Sequence, residues 1–299
     1  MSIVAVVVTY NRKRSLIDTL KAIDGQTVKP SHIVLIDNNS DDGTNEVVAN
    51  TRLTIDLRYE RLAKNIGGGG GFKIGMQRAH ALGADWLWCM DDDCTPHPDA
   101  LEKLVSVTTD NSLGPIGFLA SRVLWVDGSP CLMNLPVAHR LWIEPHDTNH
   151  PISRIVGSSF VSILVSRNAV DLVGFPVAEF FIWFDDAEYS RRISKAMPAY
   201  LVSDSLVTHH TPKNYEPLAF AELNHENLWK FCYGVRNECS VFMHTDSLSS
   251  ALLFIAKSIC RMSRVRLALK FWPPILKACV IGLFFNYPKY IEYPNPEKR

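Results

Sequence analysis

The chain lacks net charge: 31 Lys and Arg balance 31 Asp and Glu. Bulk electrostatics therefore selects no polyanionic partner, and nothing points to nucleic acid. Seven cysteines are scattered with no CxxC pair and no metal-ligand spacing. That argues against a zinc module or a disulfide framework, and fits reduced thiols in a cytosolic protein. No stretch reaches the ~18 uninterrupted apolar residues that a membrane-spanning helix needs. The N-terminus enters an apolar strand at Ile3 with no basic segment and no small-residue cleavage site, so no signal peptide is expected. The most pointed absence is local. From Ser247 to Ile291 there is no Asp or Glu, while Lys257, Arg261, Arg264, Arg266, Lys270, Lys277 and Lys289 alternate with Leu, Ile, Phe and Trp. Such a basic amphipathic region suits the headgroup level of an anionic membrane. A helical cap or an oligomer interface is the plainer alternative.

What is present is a βα alternation. Ile3–Thr9 is a Val-rich run, as expected of a parallel strand buried on both faces. A helical pattern follows over Ser15–Ile23, then strands at Ile33–Ile36 and Leu57–Tyr59 around a short helix at Thr44–Ala49. Phe72–Leu82 reads as a helix, Trp86–Met90 as the fourth strand, Pro98–Val107 as a helix and Ile155–Val165 as a strand. This order predicts an α/β, mostly parallel, Rossmann-like sheet flanked by helices, with ligands at the carboxyl ends of the strands. We expect one catalytic domain over residues 1–240 and a basic helical region over residues 241–299.

The polar clusters fall at those strand ends. Trp86–Met90 runs into Asp91-Asp92-Asp93. Three adjacent carboxylates repel, and a hard divalent cation relieves the repulsion. Asp91 and Asp93 point the same way on extended chain; a solvated acidic turn is the bland alternative. Asn65-Ile66 precedes five glycines, Gly67 to Gly71. Glycines are costly to order, and fit close backbone approach to an anion at a helix start or a hinge. The run completes no G-x-G-x-x-G and no Walker A loop. Asp185-Asp186-Ala187-Glu188 follows Phe180-Phe181-Ile182-Trp183-Phe184. Carboxylates beside aromatics have raised pKa values and suit a general base, although acids in a helix first turn are common. His209-His210 ends another apolar stretch, and an imidazole there could complete a metal site or be a structural histidine.

In combination and in order, these motifs resemble a family 2 glycosyltransferase of the GT-A fold. The likeness covers Val6-Val7-Val8-Thr9-Tyr10-Asn11-Arg12, Gln26-Thr27, Ile36 through Thr44, Asn65 with its glycines, the three aspartates and the aromatic-Asp-Asp pair, spanning residues 3 to about 240. The glycine run before Phe72, and Phe181 through Glu188, are most similar to bacterial galactofuranosyltransferases. The resemblance implies that Thr9, Asn11 and Asp37 border the nucleotide, with Asn65 near it or the donor sugar and Asp92 near the ribose. It implies Mn²⁺ or Mg²⁺ held by Asp91, Asp93 and His209, with His210 as the neighbouring alternative, and Asp186 as catalytic base.

The implied activity is inverting, metal-dependent transfer of a sugar from a UDP-sugar, UDP-galactofuranose foremost, to a hydroxyl of a glycan or lipid-linked glycan. The chain lacks the extra domains of large polymerising members, which favours adding one or a few residues. An enzyme acting on a lipid-linked acceptor is expected on the anionic inner face of the cytoplasmic membrane. A rhamnosyltransferase using dTDP-rhamnose is the alternative within the family; that group more often carries Glu-Asp at the Asp185-Asp186 position. A sugar-1-phosphate nucleotidylyltransferase is the alternative outside it, but would carry its glycine-rich loop after the first strand. A scaffold without activity is expected to have lost an aspartate, and none is missing.

Overall fold

A computed structural model of the protein describes residues 1–140 and 151–295. Its first four strands are β1 (Ile3–Thr9), β2 (His32–Asp37), β3 (Asp56–Arg61) and β4 (Trp86–Asp91). They are followed by β5 (Cys94–Pro96), β6 (Phe118–Trp125), β7 (Val137–Ala138), β8 (Ile152–Gly157), β9 (Ile163–Ser166) and β10 (Ala199–His209). The sheet order is β3-β2-β1-β4-β9-β6-β10-β8-β7, with β5 paired to β10. β1, β2, β3 and β4 pair in parallel; β1, β2 and β4 are the largely apolar runs expected of that geometry, and β3 is the polar edge strand. Beyond β4 the sheet becomes mixed: β9 lies antiparallel between β4 and β6, while β6 and β10 are parallel.

Helices cover both faces. On one, α1 (Lys13–Asp24) buries Leu16, Leu20 and Ile23, an i, i+4, i+7 stripe. Each such side chain contributes about 1.5–3 kcal/mol when fully buried. Thr19 of α1 also donates its hydroxyl to the Asp92 carbonyl at 3.0 Å, so the helix braces the acidic turn as well as the core. On the other face lies α3 (Gly67–Ala81), with Phe72, Met76 and Ala79 against Val6, Val8 and Ile36. Of the remaining helices, α2 (Thr44–Asn50) and α4 (Ala100–Thr108) join the α1 layer, and α5 (Arg167–Val173) and α6 (Asp185–Ala196) the α3 layer.

Two local expectations change. The helix read from Phe72 begins at Gly67, because all five glycines are helical. The single strand read over Ile155–Val165 is two strands, β8 and β9, separated by a turn in which Ser162 has φ 56°. Gly157-Ser158-Ser159 marks the break, which the apolar residues on either side outweigh in a reading by hydropathy; β9 is buried throughout and β8 only in part.

The C-terminal region forms three helices, α7 (Leu228–Thr245), α8 (Leu248–Arg264) and α9 (Trp272–Phe284). The boundary read at residue 240 falls inside α7. These helices share a core: Phe231, Val235 and Cys239 meet Phe254, Met262, Ile275 and Cys279. Trp183 and Phe184, just upstream of the Asp185-Asp186 pair, pack against the same cluster. Phe271 is buried, and Phe285 sits 5.9 Å from the ring of Phe180. Leu252, Leu253, Leu269, Val280, Ile281 and Phe284 remain exposed. Among the described residues no helix is long and apolar enough to cross a membrane.

Candidate active site

The carboxyl ends of β1 and β4, the start of α3, the start of α6 and the end of β10 converge on one cleft of about 1100 Å³. Thr9, Asn65, Asp91, Asp92, Asp93, Asp186 and His209 all line it. Residues far apart in sequence therefore meet as the strand-end reading requires. Two predicted residues do not line it. Asp37 is buried beneath the cleft, accepting from the Ser40 N–H at 2.7 Å and the Tyr59 hydroxyl at 2.7 Å. Asn11 is exposed, with φ 54°, and accepts from the Asp41 N–H at 2.8 Å.

The three aspartates have distinct surroundings. Asp92 accepts from the Thr9 hydroxyl at 2.6 Å and from the Tyr10 N–H at 3.3 Å; burial lifts its pKa to about 6 despite the nearby Arg12. Asp91 is lifted to about 7 by burial and by the charge of Asp93. Asp93 is also desolvated, but its hydrogen bond to His209 and the Arg12 guanidinium hold its pKa below the usual carboxylate range. Arg12 forms an ion pair with both Asp92 and Asp93. His209 is correspondingly raised by Asp93 against the opposing effect of burial.

One ligand atom each from Asp91, Asp93, Cys94 and His209 lies within 4.8 Å of the others. Burial and the neighbouring carboxylates push the Cys94 thiol well above its ordinary pKa, so it stays protonated. Two carboxylates and one imidazole remain, a donor set that suits Mn²⁺ or Mg²⁺. The second nitrogen of the imidazole supports that fit. His209 Nδ1 lies 2.7 Å from Asn134 Oδ1, an acceptor, so the network assigns the proton to Nδ1. Nε2, 3.1 Å from Asp93 Oδ1, donates the second proton of the charged ring to that carboxylate, and is the nitrogen that would face a cation once this proton leaves. His210 instead contacts Thr95 at 2.9 Å, outside the cleft.

The glycine run brings α3 into the cleft wall. Gly67 has φ 78°, and a Cβ there would lie 2.1 Å from the Phe181 carbonyl oxygen. At Gly71 it would lie 2.5 Å from Val8 and 3.0 Å from Asn38. The run thus permits contact between the helix, β1 and the aromatic loop that no larger residue allows. Asn65 caps the turn by accepting from the Gly67 N–H at 2.8 Å. Opposite, Asp185 and Asp186 open α6 and are raised mainly by burial. Asp185 is buried toward Gly69, whereas Asp186 is partly open to the cleft and accepts from the Ala187 N–H at 2.7 Å.

Sequence reasoning missed Asn134, Asn38 and the outer wall, formed by Trp229, Lys230 and Tyr233 of α7 beside Phe181. The run Leu228 to Tyr233 carries a Trp, a Lys and a Tyr on a helix, the one available signal for that wall. Nothing in the sequence marks Asn134.

Residues 4–119 match the family model for glycosyl transferase family 2. The galactofuranosyltransferase GlfT1 of Mycolicibacterium smegmatis is 31% identical over 202 residues, 64% of this chain and 65% of that protein. GlfT1 of Mycobacterium tuberculosis is 28% identical over 204 residues, 65% of each. The chain thus spans about 65% of the length of the curated relatives it matches. Staphylococcus aureus TarS 1–349 superposes with a TM-score of 0.60 at 14% identity, covering 95% of this chain and 81% of that one. GalNAc-T7, solved with UDP, GalNAc and Mn²⁺, does so at 0.61 and 14% identity, covering 96% and 58%. At such identities the likeness is one of fold. Residues 4–119 are thus similar to glycosyl transferase family 2, and the sheet shares the GT-A-like fold of TarS and GalNAc-T7.

Proposed function

We propose that the protein is an inverting, metal-dependent glycosyltransferase that moves galactofuranose from UDP-galactofuranose to a hydroxyl of a glycan or lipid-linked glycan. The observation that carries this is the shared cleft: Asp91, Asp93 and His209 on one side, Asp186 on the other, the α3 N-terminus between them. The donor reading draws on the GlfT1 relatives, named galactofuranosyltransferases. UDP as the donor nucleotide agrees with TarS, solved with UDP and with UDP-GlcNAc.

Asp91, Asp93 and His209 would hold Mn²⁺ or Mg²⁺. When bound, that ion supplies charge neutralisation for the departing nucleoside diphosphate. The chain's own groups do the rest. The α3 N-terminus presents positive dipole toward an anion. Asp186, its pKa raised by burial and its side chain in the cleft lining, takes the acceptor hydroxyl proton. The oxygen it activates attacks from the face opposite the leaving group, inverting the anomeric centre. Trp229, Phe181 and Tyr233 offer apolar faces on which an acceptor sugar can stack.

The basic C-terminal face would hold the enzyme on an anionic membrane. Lys257, Arg261, Arg264, Arg266, Lys270 and Lys277 are exposed beside Leu252, Leu253, Leu269 and Phe284. Each cation contributes about 1 kcal/mol near such a surface. The deciding experiment measures UDP release from UDP-galactofuranose against UDP-galactopyranose and UDP-GlcNAc, and nucleotide release from dTDP-rhamnose, with and without Mn²⁺. Preference for UDP-galactofuranose is expected; equal or greater turnover of another donor rejects the donor assignment.

A further inference from the structure

We infer that Asn237 is a positioning residue for the base, so that α7 serves the reaction as well as the fold. The inference rests on the reading of Asp186 as base. Phe181, Trp183 and Phe184, immediately upstream, have φ of 67°, 62° and 66°. Side chains with a Cβ avoid that left-handed region. Three such residues among four persist only where the surroundings over-determine the backbone.

Asn237 supplies much of that determination. It is wholly buried on α7, and its Nδ2 donates to the carbonyls of Phe180, Ile182 and Trp183 at 2.9, 3.2 and 2.8 Å. Its Oδ1 accepts from Arg236 Nε and Nη2 at 2.9 and 2.6 Å, which fixes the end of the carboxamide that faces the loop. Arg236 also donates to the Glu179 carbonyl at 2.7 Å, and its guanidinium lies over the rings of Tyr233 and Phe285. From the opposite side, the Gly69 N–H donates to the Phe181 carbonyl at 3.3 Å. The loop is gripped between α7 and α3, and Asp185-Asp186 follow it directly as the first turn of α6. Neither Asn237 nor Arg236 lines the cleft, so any effect on the reaction passes through the loop.

Asn237→Leu keeps the approximate shape and removes the donors. A base must lie within hydrogen-bond reach of the hydroxyl it deprotonates, and a ~1 Å misplacement can cost about 10²-fold. The expected result is a fall in kcat of about 10²-fold, with UDP affinity in Mn²⁺ changed by less than about threefold. In an Asp186→Asn background the same substitution should cost almost nothing, because no base remains to be misplaced. An undiminished loss in that background overturns the inference, as does a loss of UDP affinity that matches the loss of kcat. If Asn237→Leu does not fold, Arg236→Gln carries the test, since it frees the Asn237 carboxamide to rotate. A smaller loss that vanishes in the Asp186→Asn background supports the inference, and wild-type kcat overturns it. Wild-type turnover in Asp186→Asn alone removes the base assignment and this inference with it, which separates the two failures.

Discussion

The orientation of His209 depends on a neighbouring amide in the cleft wall. Asn134 is buried and accepts from His209 Nδ1 at 2.7 Å, while its own Nδ2 donates to the Ser159 hydroxyl at 2.9 Å. Replacing it with Leu keeps volume and removes the acceptor. When the ring gives up one of its two protons, nothing then keeps the other on Nδ1, and it can stay on Nε2, donating to Asp93 Oδ1 3.1 Å away. In that tautomer Nε2 has no lone pair for a metal. Partners of this kind typically change metal affinity by about 10–100-fold, about 1.4–2.7 kcal/mol at 1.36 kcal/mol per tenfold. The assay is calorimetric or paramagnetic-resonance titration of Asn134→Leu with Mn²⁺, without donor, so turnover does not enter. Circular dichroism reports whether the fold survives the lost hydrogen bond. Mn²⁺ affinity within twofold of wild type in a folded variant would refute the argument that Asn134 sets the ring.

Three further outcomes follow from the same geometry. EDTA should abolish transfer and Mn²⁺ restore it, and Asp93→Ala should lose nearly all turnover while remaining folded; full activity in chelator contradicts the metal centre. Glu238, desolvated on α7 near Arg191 and Arg261, has its pKa raised to about 7. The folded state therefore holds this proton more tightly than the unfolded chain, so its stabilising effect is complete below about pH 4.5 and lost as pH rises through 7. Glu238→Gln should match wild type in melting temperature at pH 4.5 and exceed it at pH 8; a difference independent of pH would contradict this. Deleting residues from Leu248 onward uncovers Phe231, Val235 and Cys239, at about 1.5–3 kcal/mol for each large apolar side chain against a total stability of about 5–15 kcal/mol. The shortened chain should be unfolded or inactive, and wild-type melting and turnover would show the helices to be separable.

Much of the site was legible because its residues sit at strand ends, where short-range pattern is informative. Thr9, Asp91 and His209 each close an apolar run, and β1, β4 and β10 deliver them to one rim. The rest depended on long-range packing. The five glycines fall outside the helix read from Phe72, at its start or in a hinge, because helix propensity opposes them; close packing on Val8 and the Phe181 carbonyl, which only glycine permits, favours the longer helix. Phe271, Trp272 and Phe285 read as membrane-facing because hydropathy cannot separate two burials. In the fold Phe271 and Phe285 join protein cores, and Trp272 donates its indole N–H to the Leu267 carbonyl at 3.1 Å. Asn134 and Asn237 are single amides in unremarkable stretches, and only tertiary structure reveals what they hold.

Cys94 gives the cleft a chemical vulnerability. Its sulfur, buried behind the cleft surface, lies within 4.8 Å of one ligand atom each from Asp91, Asp93 and His209, yet carries a proton that hard cations have no means of displacing. Zinc and cadmium bind thiolate strongly enough to displace it. The same pocket therefore offers soft metals a four-ligand trap, with oxygen, nitrogen and sulfur donors in one cage. Micromolar Zn²⁺ should poison the enzyme even with Mn²⁺ in excess, and Cys94→Ser should blunt the poisoning while leaving the Mn²⁺ response in place. Equal zinc sensitivity in both proteins would place the toxic site elsewhere.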